Sequence, residues 1–195
     1  IEIENQFLGT LEVYKTTQDD IVQIAGPSSL KQIEKFLNKT KQKRISINEI
    51  IIDGAADRRI SLYFADNVYF VIGPTYSPNP QKILKTIQGI IKLLEIPLLN
   101  QTESSQKPVF LNSINNENIK KLDPNQSYLV ESLSNIIIDY ILLPKILENF
   151  KIFVKRKPKN YKIVINSFNA ELMTHTLNPY EIINSLENNT NLIPL

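Results

Sequence analysis

Val68-Tyr69-Phe70-Val71-Ile72-Gly73-Pro74-Thr75 is the stretch on which the fold turns. Five successive β-branched or aromatic residues make it the clearest strand of the chain, and Gly73-Pro74-Thr75 ends it. Downstream, Pro78-Asn79-Pro80 precedes a helix whose apolar face is Ile83, Leu84, Ile87, Ile90, Ile91 and Leu94, and Pro97 terminates it. Upstream, Asp66-Asn67 turns the chain, and Ile60 to Phe64 reads as a further strand or an irregular excursion. Ile47 to Ile52 is a short, mostly apolar strand that stops at Asp53-Gly54, the pattern of a strand buried on both faces. Before it, Gly26-Pro27-Ser28-Ser29 breaks the chain ahead of a helix that places Leu30, Ile33, Phe36 and Leu37 on one face. Thr10 to Lys15 and Ile21 to Ala25 read as a hairpin around Gln18-Asp19-Asp20. The order strand, helix, strand, strand, helix favours an α/β fold with a mostly parallel sheet covered by helices.

Asn100 to Lys107 is polar and reads as a linker. The expected organisation is an α/β domain over 1–99, a linker over 100–107, and a smaller C-terminal α/β or α+β domain over 108–195. In that second part Val109 to Asn112 and Tyr128 to Val130 read as short strands, with a helical turn near Glu117 to Leu122. Ile136 to Leu147 reads as a strongly apolar helix, bent or broken at Pro144. Lys151 to Val154 and Tyr161 to Asn166 are strands, Glu171 to Thr176 is another, and Pro179 starts a helix that continues to Leu186.

Composition narrows the function. With 42% hydrophobic and 22% charged residues the chain is an ordinary globular mix. A net charge of +2, from 22 basic and 20 acidic residues, is too balanced to argue for a nucleic-acid partner. Two basic runs, Lys39 to Arg44 and Lys151 to Lys159, read as a helix exit and a solvated surface. Without cysteine there are no thiolate nucleophiles, cysteine-bound zinc or disulfides, which suits a cytoplasmic location. Ile1-Glu2-Ile3-Glu4 lacks the basic-then-apolar start of a secretory signal. The longest apolar stretch, Ile136 to Leu143, is interrupted by Asp139 and is too short to span a bilayer.

The sole histidine, His175, cannot build a histidine-rich metal site, and it reads as a partly exposed strand residue. A serine–histidine pair needs further partners, and no nucleophile-elbow pattern occurs. Neither a Walker-type loop nor Gly-x-Gly-x-x-Gly is present, so no cofactor and no metal is expected. Instead, three expected strands each end in small or turn-forming residues: Gly26-Pro27-Ser28-Ser29, Asp53-Gly54-Ala55 and Gly73-Pro74-Thr75. Ligands of open parallel sheets bind beyond the carboxyl ends of the strands. Ser28 and Ser29 offer hydroxyls beside free helix N–H groups, Asp53 suits a metal ion or a sugar hydroxyl, Arg58 and Arg59 suit a phosphate or carboxylate, and Thr75 and Ser77 add neutral donors. The competing reading makes these segments ordinary connectors, with Asp53 paired to Arg58 or Arg59.

Leu8-Gly9-Thr10-Leu11-Glu12-Val13, Ala25-Gly26-Pro27-Ser28-Ser29 and Ile51-Ile52-Asp53-Gly54-Ala55-Ala56-Asp57-Arg58-Arg59, with Ile72-Gly73, together resemble an uncharacterised bacterial family. In that family a P-loop module, related in shape to dethiobiotin synthetase, precedes an (I/V)-D-G-A-x-x-R strand end. Ile152-Phe153-Val154 and Leu177-Asn178-Pro179 look similar to the family's C-terminal domain. The resemblance implies a nucleotide-related module, but residues 1 to 9 hold no Gly-Lys-Thr. Either the chain is a fragment, or another chain supplies the loop, or the nucleotide function is lost. Three functions follow as expectations. The first is a non-catalytic or incomplete ligand-binding accessory module that works with another polypeptide and takes a small anion or nucleotide. The second is an enzyme on a doubly wound scaffold that uses Asp53 and Arg58 on a phosphorylated or carboxylate substrate. The third is a structural interaction protein that packs the Ile136 to Leu147 helix on a protein partner or a second copy of itself.

Overall fold

The computed structural model describes residues 2–6, 9–12, 30–42, 49–52, 61–99, 107–169, 171–186 and 191–194. Contacts divide the chain into two units, Ile1–Asp53 and Gly54–Leu195.

In the first unit β1 (Glu2–Gln6) and β2 (Gly9–Glu12) form an antiparallel hairpin, with Gln6 opposite Gly9. The partner of β2 here is therefore β1, while the partner expected for it, Ile21 to Ala25, lies outside the described residues. Helix α1 (Leu30–Gln42) follows, as its apolar spacing requires, with Ile33 buried and Lys39 and Lys41 in its last turn, where cations suit the helix dipole. The expected strand over Ile47 to Ile52 is not formed across 49–52, which have no regular structure; Ile51 is 85% exposed. A strand needs a ladder partner as well as an apolar run, and among the described residues none pairs with this one.

The second unit opens with a helical turn, α2 (Ser61–Phe64), so the stretch from Ile60 to Phe64 is no strand. Next come β3 (Asn67–Ile72), α3 (Pro80–Glu95), β4 (Val109–Phe110), β5 (Ile114–Asn115), β6 (Ser127–Ser132) and β7 (Ile136–Ile137). Then α4 (Leu143–Asn149), β8 (Lys151–Arg156), β9 (Asn160–Ile165), β10 (Phe168–Asn169), β11 (Thr174–His175), α5 (Pro179–Asn184) and β12 (Leu192–Pro194) complete it. Strands β12, β9 and β3 form one parallel sheet, with β9 central. Strands β4, β6 and β8 form a second, which Leu98 extends by a bridge to Val154. A short parallel pair, β5–β7, and an antiparallel hairpin, β10–β11, complete the set. The fold is α/β with mostly parallel sheets.

The sheet β12–β9–β3 joins residues from both sides of the expected linker. Each residue of β3 has its partner in β9, from Asn67–Asn160 to Ile72–Ile165. One core cluster likewise takes Leu62, Ile83 and Ile87 from before residue 100, and Ile114, Leu133 and Ile163 from after it. The expected boundary at 100–107 thus falls inside the second unit. A polar run marks a loop within a domain as readily as a linker between two.

Helix α3 is the best-specified element. The Asn79 side chain accepts from the N–H groups of Gln81 and Lys82, at 2.9 and 3.4 Å, and Pro80 occupies the first turn. Ile83, Ile87, Ile90, Leu93 and Leu94 are buried, each worth about 1.5–3 kcal/mol. At its C-terminus the Lys157 ammonium donates to the carbonyls of Leu94 and Ile96, at 3.2 and 3.1 Å. Lys157 is thereby a half-buried helix cap rather than part of a solvated basic run. Elsewhere in that run Lys155 pairs with Glu131 at 2.8 Å, Arg156 lies over the Tyr63 ring, and Lys159 pairs with Asp66 at 2.8 Å. The hydrogen bond and charge of Asp66 raise the Lys159 pKa, so this contribution is complete at neutral pH and is lost as pH rises through the folded value. Both side chains are well solvated, and the pair adds little to stability.

Ile136 to Leu147 is not one helix. It comprises β7, a turn at Asp139 and the start of α4, with Pro144 in that helix's first turn. The Asp139 side chain accepts from Ile141 N–H at 2.7 Å and its carbonyl accepts from Leu142 and Leu143, a local arrangement that competes with helix. Ile136, Ile138 and Leu143 are buried within this unit. The turn carries Tyr140 against α3, where Gly89 leaves room for it: a Cβ on Gly89 would lie 1.8 Å from the Tyr140 carbonyl oxygen. Gly89→Ala gains helix propensity yet forces this contact apart. It should lower the urea-unfolding free energy by about 1–3 kcal/mol, whereas Gln88→Ala, on the exposed side of the same turn, should leave it within about 0.5 kcal/mol.

Candidate functional site

Of the ligand contacts picked out by the sequence, Ser28, Ser29, Asp53, Arg58 and Arg59 lie outside the described residues. Thr75 is exposed just beyond the end of β3. Ser77 is buried, and its hydroxyl oxygen accepts from Asn79 N–H at 3.2 Å, a structural task at the entry to α3.

The Gly73-Pro74-Thr75 segment does occupy the carboxyl end of a parallel strand. Its neighbour there is the end of β9: Asn166 N–H donates to the Ile72 carbonyl at 2.9 Å, and a Cβ on Gly73 would lie 2.6 Å from the Asn166 carbonyl oxygen. Beyond Asn166 the chain enters the β10–β11 hairpin, where Phe168 pairs with His175 and Asn169 with Thr174. The Asn166 side chain accepts from Phe168 N–H, and the Ser167 carbonyl accepts from Thr176 N–H. This closure sets Ser167 Oγ 2.7 Å from Nδ1 of His175. The Phe168 ring meets the imidazole edge-on, with ring centres 5.4 Å apart.

The pair borders a shallow, open cleft of about 400 Å³ lined by Ser167, His175, Leu177, Asn178, Pro179, Tyr180 and Pro194. Ser167 follows the carboxyl end of β9 and Pro194 ends β12, so the cleft sits at the edge of the parallel sheet where α/β ligands bind. Asn178 opens α5; its side chain accepts from Tyr180 N–H at 3.1 Å and donates to Glu181 at 3.1 Å. Tyr180 itself is 62% exposed. The lining is apolar with a few placed polar groups and no formal charge among the described residues.

His175 is an exposed strand residue, as its sequence context indicates, but its pairing with Ser167 was not legible. The two are eight residues apart and meet only because β10 and β11 pair in this register. The Asn178-Pro179 helix start was the one local signal within the cleft. Among the described residues no carboxylate orients the imidazole, and no group of three or more His, Cys, Asp or Glu could hold a metal ion. No helix of the described residues is long and apolar enough to cross a membrane.

No family model matches the chain, and neither does a curated protein or a solved structure.

The hairpin that builds the pair carries one strained residue. Asn169 folds its turn by accepting from the N–H groups of Glu171 and Leu172, and Met173 follows with φ at 52°. That left-handed conformation costs a non-glycine residue roughly 1–2 kcal/mol, and the Met173 side chain, largely exposed, has little packing to offset it. Met173→Gly should therefore raise the unfolding free energy by up to about 1 kcal/mol in a denaturant titration, where most substitutions lower it.

Proposed function

We propose that this chain is a ligand-binding accessory module that acts with another polypeptide and does not turn over substrate by itself. The observation that carries the reading is the cleft at the carboxyl edge of β9 and β12, walled by Ser167, His175, Asn178 and Tyr180. Its apolar floor and uncharged polar groups suit holding a small molecule. Among the described residues no carboxylate orients the imidazole, so they hold no third member of the kind on which triad chemistry depends. Leu177-Asn178-Pro179, one of the segments that carry the bacterial-family resemblance, lines this cleft. Ser28, Ser29 and Asp53 in the first unit, and Arg58, Arg59 and Thr75 in the second, are separate candidate contacts for an anion or nucleotide. A thermal-shift panel of nucleotides and small carboxylates tests the reading. At least one compound at 100 times its Kd should stabilise the full chain by about 2.7 kcal/mol, and Tyr180→Ala should weaken the effect. No stabilisation by any compound, or an equal response from the variant, overturns the cleft as the site.

One observation favours a second reading. Ser167 Oγ at 2.7 Å from an imidazole nitrogen is the spacing of a nucleophile and its base. In that case Oγ attacks an ester carbonyl, the imidazole takes its proton and returns it to the departing alkoxide, and water releases the acyl group. The accessory-module reading expects no burst of p-nitrophenolate from p-nitrophenyl acetate above that of the Ser167→Ala variant. A burst that disappears in Ser167→Ala would establish the enzyme instead.

A further inference from the structure

We infer that Ser167 locks His175 as a hydrogen-bond donor toward the cleft, so that the cleft selects a compact ligand through a carbonyl or carboxylate oxygen. The inference rests on the cleft being a ligand site, while the serine–histidine assignment itself is open to direct measurement.

Ser167 is 8% exposed, and its hydroxyl has one partner among the described residues, Nδ1 of His175 at 2.7 Å. A buried hydroxyl has a proton to place, and the alternatives are few. The Ser167 carbonyl is already engaged by Thr176 N–H. If Nδ1 carried the proton and donated it to Oγ, the serine proton would be left without an acceptor among the described residues. The satisfied arrangement has Oγ–H donating to Nδ1, which puts the proton of the neutral ring on Nε2. Two contacts, the Ser167 hydrogen bond and the Phe168 ring, favour this ring orientation. The hairpin register sets Phe168 opposite His175, and the Phe168 ring stands against the imidazole at an interplanar angle of 65°. Nε2 has no partner among the described residues, and His175 lines the cleft.

The rest of the lining then defines the ligand class. Leu177, Pro179, Pro194 and the Tyr180 ring offer flat apolar surface, and no lysine, arginine, aspartate or glutamate stands among the described lining residues. An Nε2–H donor in such a setting pairs with an acceptor oxygen, charged or neutral. A cation without an acceptor gains nothing from this Nε2–H donor. Benzoate and benzamide share an aromatic body with such an oxygen; benzyltrimethylammonium has the body and a fixed positive charge but no acceptor.

The chain has a single histidine, so a ¹⁵N-histidine label reports on this ring alone. Spectra of the full chain are recorded at about pH 9, where an ordinary imidazole is neutral. The expected result is a protonated Nε2 and an unprotonated Nδ1 whose resonance is displaced by the serine hydrogen bond. Ser167→Thr keeps the hydroxyl and keeps the displacement; Ser167→Ala loses it. Benzoate and benzamide should move the Nε2 resonance saturably, benzyltrimethylammonium should not, and Ser167→Ala should weaken the binding of the first two by about fivefold. A proton on Nδ1, or an Nδ1 resonance unchanged between wild type and Ser167→Ala, overturns the lock, and the wild-type spectrum alone suffices if the alanine variant does not fold. An intact lock with no response to either probe overturns the cleft as a ligand site. Equal binding of benzyltrimethylammonium overturns the selection for an acceptor oxygen.

Discussion

The parallel pairing of Asn67–Ile72 with Asn160–Ile165 is the constraint on which the second unit depends. It joins segments some ninety residues apart in register along their whole length. Closing so long a loop costs entropy that only non-local contacts repay. The register is fastened at both ends. At the entry, the Asp66 carbonyl accepts from Lys159 and Asn160 N–H, and the Asn160 side chain donates to that of Asn67 at 2.9 Å. At the exit, Asn166 N–H reaches the Ile72 carbonyl, and its own carbonyl fills the space that a side chain on Gly73 would need. A slip of one residue would exchange the buried and exposed faces of β3, turning Val68 and Ile72 outward and Tyr69 and Val71 inward.

This pairing also decides where the candidate chemistry stands. Ser167 follows β9 by two residues, so the end of the ladder places the first residue of the cleft. β12, on the other side of β9, brings in Pro194, and Asn191 ties this segment to the centre by accepting from Ile163 N–H at 2.8 Å. The hairpin then folds His175 back over Ser167. Rigid parallel strands supply the position and a short irregular hairpin supplies the functional groups, a division of labour common to α/β sites.

Helix α3 takes its place by different means. Asn79 and Pro80 start it locally, but its far end is finished by Lys157 from another segment, and its close contact with Tyr140 depends on the absence of a side chain at Gly89. The cation at the helix exit and the small residue at the crossing both trade local preference for tertiary fit: lysine gives up hydration, and glycine gives up helix propensity.

Preferences that act over a few neighbouring residues can be read from the chain directly. β3 and α3 were legible because a β-branched and aromatic run ending in Gly-Pro, and an apolar stripe between Asn-Pro and Pro, specify strand and helix through steric and capping preferences of adjacent residues. The α/β class followed from their order. Tertiary structure alone decided that β3 lies beside β9, that the Ile136 to Leu147 run breaks at Asp139 into a strand, a turn and a helix, that Lys157 is a cap, and that Ser167 meets His175. Each of these depends on a partner whose distance in the chain carries no local signature. Hydrophobic periodicity states that a face will be covered, while hydrogen-bond ladders and packing between remote segments decide what covers it.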